Sequence, residues 1–133
     1  MTTNEQKFCK MMAPNINCWM ANYYLALDYV ADLVITGKIT IEQDSDCEEL
    51  AKPFVTDEYD LDAVGNLIFC FKMFAFEDSS EIGNSFGIEQ DDLDSADLSL
   101  WEFIDLFSGN PKKSAELLLQ AKKSYIPTYS AGA

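Results

Sequence analysis

A chain of 133 residues, 48% of them apolar, is one domain by length and holds enough apolar material for a core. Its 23 acids face nine lysines, a net charge of −14, with no arginine and no histidine. The missing arginine removes bidentate clamps for phosphate, and the missing histidine removes the side chain best suited to proton transfer near neutral pH.

Along the chain, Asn4 to Met12 reads as a short first helix. Between Pro14 and Gly37, the residues Met20, Tyr23, Tyr24, Leu27, Val30, Ala31 and Val34 recur at helical spacing, with Asn22, Asp28 and Asp32 on the other side. Gly37 is placed to end that helix in a left-handed cap. Thr40-Ile41-Glu42-Gln43 reads as a capping box opening a helix with Cys47, Leu50 and Ala51 on one face, stopping before Pro53. The alternation of Ile39, Thr40 and Ile41 offers a short hairpin near 34–41 as the alternative.

From Thr56, a second cap candidate, the chain runs into Leu61, Val64, Leu67, Ile68, Phe71, Phe74 and Ala75, with Phe69, Cys70, Met73 and Phe76 on the remaining faces. A helix apolar nearly all round belongs in a core. Glu77 to Ser95, with Gly83 and Gly87 around Phe86, reads as the longest loop. Leu100, Phe103, Ile104 and Phe107 form the next stripe, closed by Gly109. Asn110-Pro111 then starts the last helix, whose face is Leu117, Leu118, Ala121 and Tyr125, ended by Pro127. The prediction is an all-α fold, a bundle of five to six helices around a central buried helix at about 57–76. Residues 1–127 make one acidic helical domain and 128–133 a disordered tail. Trp19, Tyr23, Tyr24, Phe71, Phe74, Trp101 and Phe103 are expected in the core.

No apolar run follows the first lysines, so no signal peptide is expected. The most apolar stretch, Leu61 to Phe76, is interrupted by Asp62, Asn66 and Lys72 and is too short for a membrane span. Cys9, Cys18, Cys47 and Cys70 are irregularly spaced, and three fall on helical patterns where reduced cysteine packs as a small hydrophobe; Cys18 and Cys70 are expected in the core. The expected setting is cytoplasmic, the host cytoplasm for a phage-encoded chain.

The charge is uneven. Residues 42–105 hold nineteen acids against Lys52 and Lys72, a net charge of −17, while the segments on either side are neutral or basic. Crowded carboxylates repel, so either the acidity serves solubility or it matches a strongly positive partner. Proteins that grip DNA present such positive surfaces, because their affinity comes from replacing phosphate counterions. The candidate partner-binding residues are Asp57, Glu58, Asp60 and Asp62 at the start of the central helix, and Glu77, Asp78 and Glu81 at its other end. Phe86, Glu89, Asp91, Asp92, Asp94 and Asp97 complete the set. Asp91, Asp94 and Asp97 share a helix row if that helix starts early.

In size, acidity and helical character the chain resembles the phage- and plasmid-encoded DNA-mimic inhibitors of restriction and CRISPR enzymes. No motif carries the resemblance, and no site residue is taken from it. It implies a non-enzymatic inhibitor that occupies a basic nucleic-acid-binding site on a protein or nuclease complex, without binding nucleic acid or membrane itself. An immunity protein or antitoxin for one cognate toxin is the alternative, as is an acidic adaptor subunit.

Other chemistries fit less well. The window Asp91 to Glu102 lacks the ligand at the third place and the glycine at the sixth that a calcium loop needs; Leu93 and Ala96 stand there. Four scattered cysteines without histidine make no zinc site, and a cysteine nucleophile would lack its base. Carboxylate pairs suited to glycoside hydrolysis occur in any acid-rich chain, and no phosphate-cradling glycine loop is present. No cofactor, metal or catalytic residue is expected.

Overall fold

In six of the seven described helices a side chain satisfies one of the first free N–H groups, and the computed structural model shows where those caps fall. It describes residues 2–18, 21–76 and 88–124. Among these there are seven α-helices and no strand: α1 (Thr3–Asn17), α2 (Ala21–Ile35), α3 (Cys47–Ala51), α4 (Leu61–Phe76), α5 (Gln90–Ala96), α6 (Leu100–Asp105) and α7 (Pro111–Ser124). A 3-10 turn, Lys52–Phe54, follows α3 and takes in Pro53 near its start.

Helix α1 opens with a capping box: Thr2 Oγ1 accepts from Glu5 N–H at 3.2 Å, and Glu5 Oε1 accepts from Thr2 N–H at 2.8 Å. The expected end at Met12 is too early, because the helix continues through Pro14 to Asn17. Proline there removes the N–H that would bond Lys10, a cost of about 3 kcal/mol. Burial of Ala13 and Ile16 beside Phe8, Cys9 and Met12 offsets it.

Helix α2 buries Ala26, Leu27, Val30, Ala31, Leu33 and Val34 and turns Asp28 and Asp32 outward, as its periodicity predicts. Gly37, at φ +83°, ends the turn that follows. The hairpin alternative does not form. Ile39 N–H returns to Leu33 O at 3.0 Å, and Ile39 and Ile41 are both buried, so the alternation marks an extended segment feeding the core. That segment also displaces the expected Thr40 box. Residues 42–45 form a turn in which Ser45 Oγ accepts from Glu42 N–H at 2.7 Å. Asp46 takes over the cap, accepting from the N–H groups of Glu48 and Glu49 at 3.1 and 3.2 Å.

The central helix starts at Leu61 rather than near 57. Thr56 Oγ1 accepts from the N–H groups of Glu58 and Tyr59, at 3.1 and 2.9 Å, closing a turn of its own. Tyr59 is held out of helical register by stacking on Tyr29, with ring centroids 5.0 Å apart. Asp60 then caps α4, accepting from Ala63 N–H at 2.8 Å. Helix α4 packs against α2, α3 and α7, and α7 also covers α1 and α2, so these two helices share the middle of the bundle.

An aromatic box locks three helices together. Phe8 of α1 meets Phe74 of α4 at 5.9 Å and Phe103 of α6 at 6.0 Å, while Phe107 stands 5.3 Å from both Phe8 and Phe74. All four rings are buried. Pairs of this kind add about 1 kcal/mol each beyond the apolar area they bury.

The last helix starts as expected, with Asn110 Oδ1 accepting from Lys112 N–H at 3.1 Å ahead of Pro111. Leu117, Leu118 and Ala121 are buried on its inner face. Tyr125, Pro127 and the 128–133 tail lie outside the described residues, as do Trp19, Met20 and the glycines at 83 and 87. Among the described residues no helix is long and apolar enough to cross a membrane.

Candidate acidic partner-binding surface

The candidate acids fall into two described groups. Asp57, Glu58, Asp60 and Asp62 are all exposed on the approach to α4. Asp60 is committed to the cap. Asp62 Oδ2 accepts from Tyr23 Oη–H at 2.8 Å and its Oδ1 accepts from Asn66 Nδ2 at 3.0 Å. The bond from Tyr23 to the Asp62 carboxylate is the main reason the Tyr23 phenol is shifted upward, so Tyr23 stays a donor.

The second group surrounds α5. Glu89, Asp91, Asp94 and Asp97 are exposed and Asp92 is half-buried. Asp92 Oδ2 accepts from Glu89 N–H at 2.8 Å, so this carboxylate holds the start of α5. Asp91 and Asp94 share a row on the helix, and Gln90 Nε2 donates to Asp94 at 3.0 Å. Asp97 leaves the row: it ends the helix at φ 56°, and Lys7 reaches it at 3.3 Å. Among the described residues it is the one candidate acid with a lysine partner.

The two groups are not one cluster. Asp62 and Phe74 are twelve residues apart on α4, about 18 Å. The first group lies with α2 and α3 at the start of α4. The second lies against α1, whose Phe8 meets Phe74. Glu77, Asp78, Glu81 and Phe86 lie outside the described residues. Within the window weighed for calcium, Asp92 and Glu102 accept from the backbone N–H groups of Glu89 and Ser99, both at 2.8 Å, and Asp97 faces Lys7.

Two of the expected core assignments are corrected. Trp101 is 74% exposed, beside a partly exposed Leu100, and Cys18 is exposed. The periodicity held the signal for the first: Phe103 and Phe107 define the buried face, and position 101 falls well round the helix from both. Cys18 closes α1, beyond its last buried residue, Ile16. Phe69 is likewise missed as a surface residue; it lies on α4 opposite Phe71, and is 45% exposed. Cys9 is buried and Cys70 half-buried, and burial pushes the two thiols up, to about 11 and about 12.

These features define an all-α helical bundle in which most surface carboxylates near the helix starts have no lysine partner among the described residues. No protein-family model, curated protein or solved structure matches the chain.

Proposed function

We propose that this chain is a non-enzymatic inhibitor whose acidic surface occupies a basic nucleic-acid-binding site on a partner protein, in the manner of DNA-mimic inhibitors of restriction or CRISPR enzymes. The observation that supports it most is that Asp57, Glu58, Asp60, Asp62, Asp91 and Asp94 are exposed and have no lysine partner among the described residues, within a segment of net charge −17. Surface carboxylates left uncompensated in this way raise the rate of encounter with a positive partner and disfavour others. The block of the partner is stoichiometric and involves no covalent step. The setting is the cytoplasm, where the target would be a nuclease complex or another nucleic-acid-binding protein.

The test is capture of partners from host lysate at low and high salt, with DNA as competitor. Recovery of nucleic-acid-binding proteins that DNA displaces supports the reading. A charge-reversal variant should then target Asp91 and Asp94, leaving Asp92 in place because it caps α5. Undiminished inhibition by Asp91→Lys/Asp94→Lys removes the α5 surface from the mechanism.

The alternative, an immunity protein or adaptor with one cognate partner, draws support from Trp101. An exposed tryptophan is the residue type most often found at the centre of binding hot spots. It calls for a partner held at high salt and lost in Trp101→Ala.

A further inference from the structure

Helices α3 and α4 leave an open groove of about 520 Å³ between them, lined by Cys47, Glu48, Leu61, Asp62, Asn66 and Phe69 together with Gly65. Its makeup is unusual for this surface. Phe69 offers an aromatic ring at 45% exposure, while Leu67, Ile68, Phe71 and Phe74 beside it on α4 are buried. Two exposed carboxylates, Glu48 and Asp62, line it, and none of the residues lining it is a lysine. Asp62 is fixed in place by Tyr23 and Asn66, and Asn66 Nδ2 also donates to the Tyr23 oxygen at 2.8 Å. Each Asp62 oxygen accepts one of these bonds and keeps further acceptor capacity toward solvent.

We propose that this groove receives an arginine side chain from the basic partner. The proposal rests on the acidic-surface reading given above and names the residue type it recognises. Charge complementarity selects a cation. The exposed ring selects a planar one, because a guanidinium stacks on an aromatic face while its N–H fork donates to carboxylates at the edge. A lysine ammonium is a strongly hydrated point charge and makes poorer use of the ring. Gly65 lines the groove without a side chain, and a Cβ placed there would stand 3.9 Å from Ala51 Cβ, an ordinary contact.

The experiment is an NMR titration of the full ¹⁵N-labelled chain at low salt, using an arginine-rich peptide and its lysine counterpart of equal length. The arginine peptide is expected to shift the amides of Glu48, Gly65, Asn66 and Phe69 and to bind about three-fold more tightly than the lysine peptide. Phe69→Ala should erase that preference, and Glu48→Gln should weaken both peptides. Gly65→Ala supplies the control for folding, since alanine is the better helix former and meets no clash. It should raise the Tm while weakening the arginine peptide. If both peptides bind equally, shift the amides of residues 91 and 94, and ignore Phe69→Ala, the groove assignment is overturned and the acidic-surface reading stands. If neither peptide shifts any amide, both fall.

Discussion

Lys113 and Glu5 give the sharpest stability prediction. Glu5 is buried at 6% exposure, accepts from Thr2 N–H at 2.8 Å and pairs with Lys113 of α7. Replacing Lys113 with methionine keeps the apolar stem and strands the carboxylate. Loss of one partner of a buried pair costs 3–5 kcal/mol as a rule, and the Lys113 side chain at 34% exposure admits water, so about 2 kcal/mol is expected. Glu5→Gln keeps an acceptor for Thr2 and removes the charge, at about 1 kcal/mol. For a chain of this length those costs are about 8 and about 4 °C in Tm. The double variant should be little worse than Glu5→Gln, a coupling of about 1.5 kcal/mol by denaturant titration. The pH dependence follows. The pair with Lys113, then the Thr2 bond, holds the Glu5 carboxyl below its ordinary 4.5. Its stabilisation is therefore complete above that value and is lost as pH falls through the lowered one. The gap between wild type and Lys113→Met should narrow on acidification. Equal, additive costs for the two single variants at neutral pH would refute the reasoning.

Three further outcomes are expected. Ser114 is fully buried and its Oγ has no hydrogen-bond partner among the described residues, so Ser114→Ala should raise stability by about 1 kcal/mol, read by thermal melting. Gly37→Ala meets no atom within 4 Å but must hold φ +83°, so it should lower stability by about 1 kcal/mol, and Gly37→Asn by less. Thiol labelling at mildly alkaline pH, followed by mass spectrometry, should modify exposed Cys18 first. Cys9 and Cys70, pushed up to about 11 and about 12 by burial, should react only on unfolding.

The fold was legible wherever burial and period agreed. The α2, α4 and α7 faces follow from the spacing of Leu27, Val30 and Val34, of Val64, Phe71 and Phe74, and of Leu117, Leu118 and Ala121. Helix starts were harder to read, because several residues compete for each cap. Thr40 and Thr56 are good caps in isolation, yet Ile41 is drawn into the core and Tyr59 onto Tyr29, which hands the caps to Asp46 and Asp60. The acidic segment was plain from composition, but its division into two groups depends on the length of α4, and the α3–α4 groove on which faces remain uncovered. Periodicity places Phe69 and Trp101 away from the core stripes; size and apolarity argue the opposite, and for these two side chains the spacing was the better guide.

Five of the seven described helices begin on a carboxylate that accepts from the backbone: Glu5, Asp46, Asp60, Asp92 and Glu102. Apart from buried Glu5, these residues carry surface charge and start helices at once. The protein cannot be discharged by acid without loosening its helices at the same time. A neutralised variant that still folds would need a neutral acceptor, asparagine or glutamine, at each of these five positions, so part of its acidity belongs to the architecture before any partner is met.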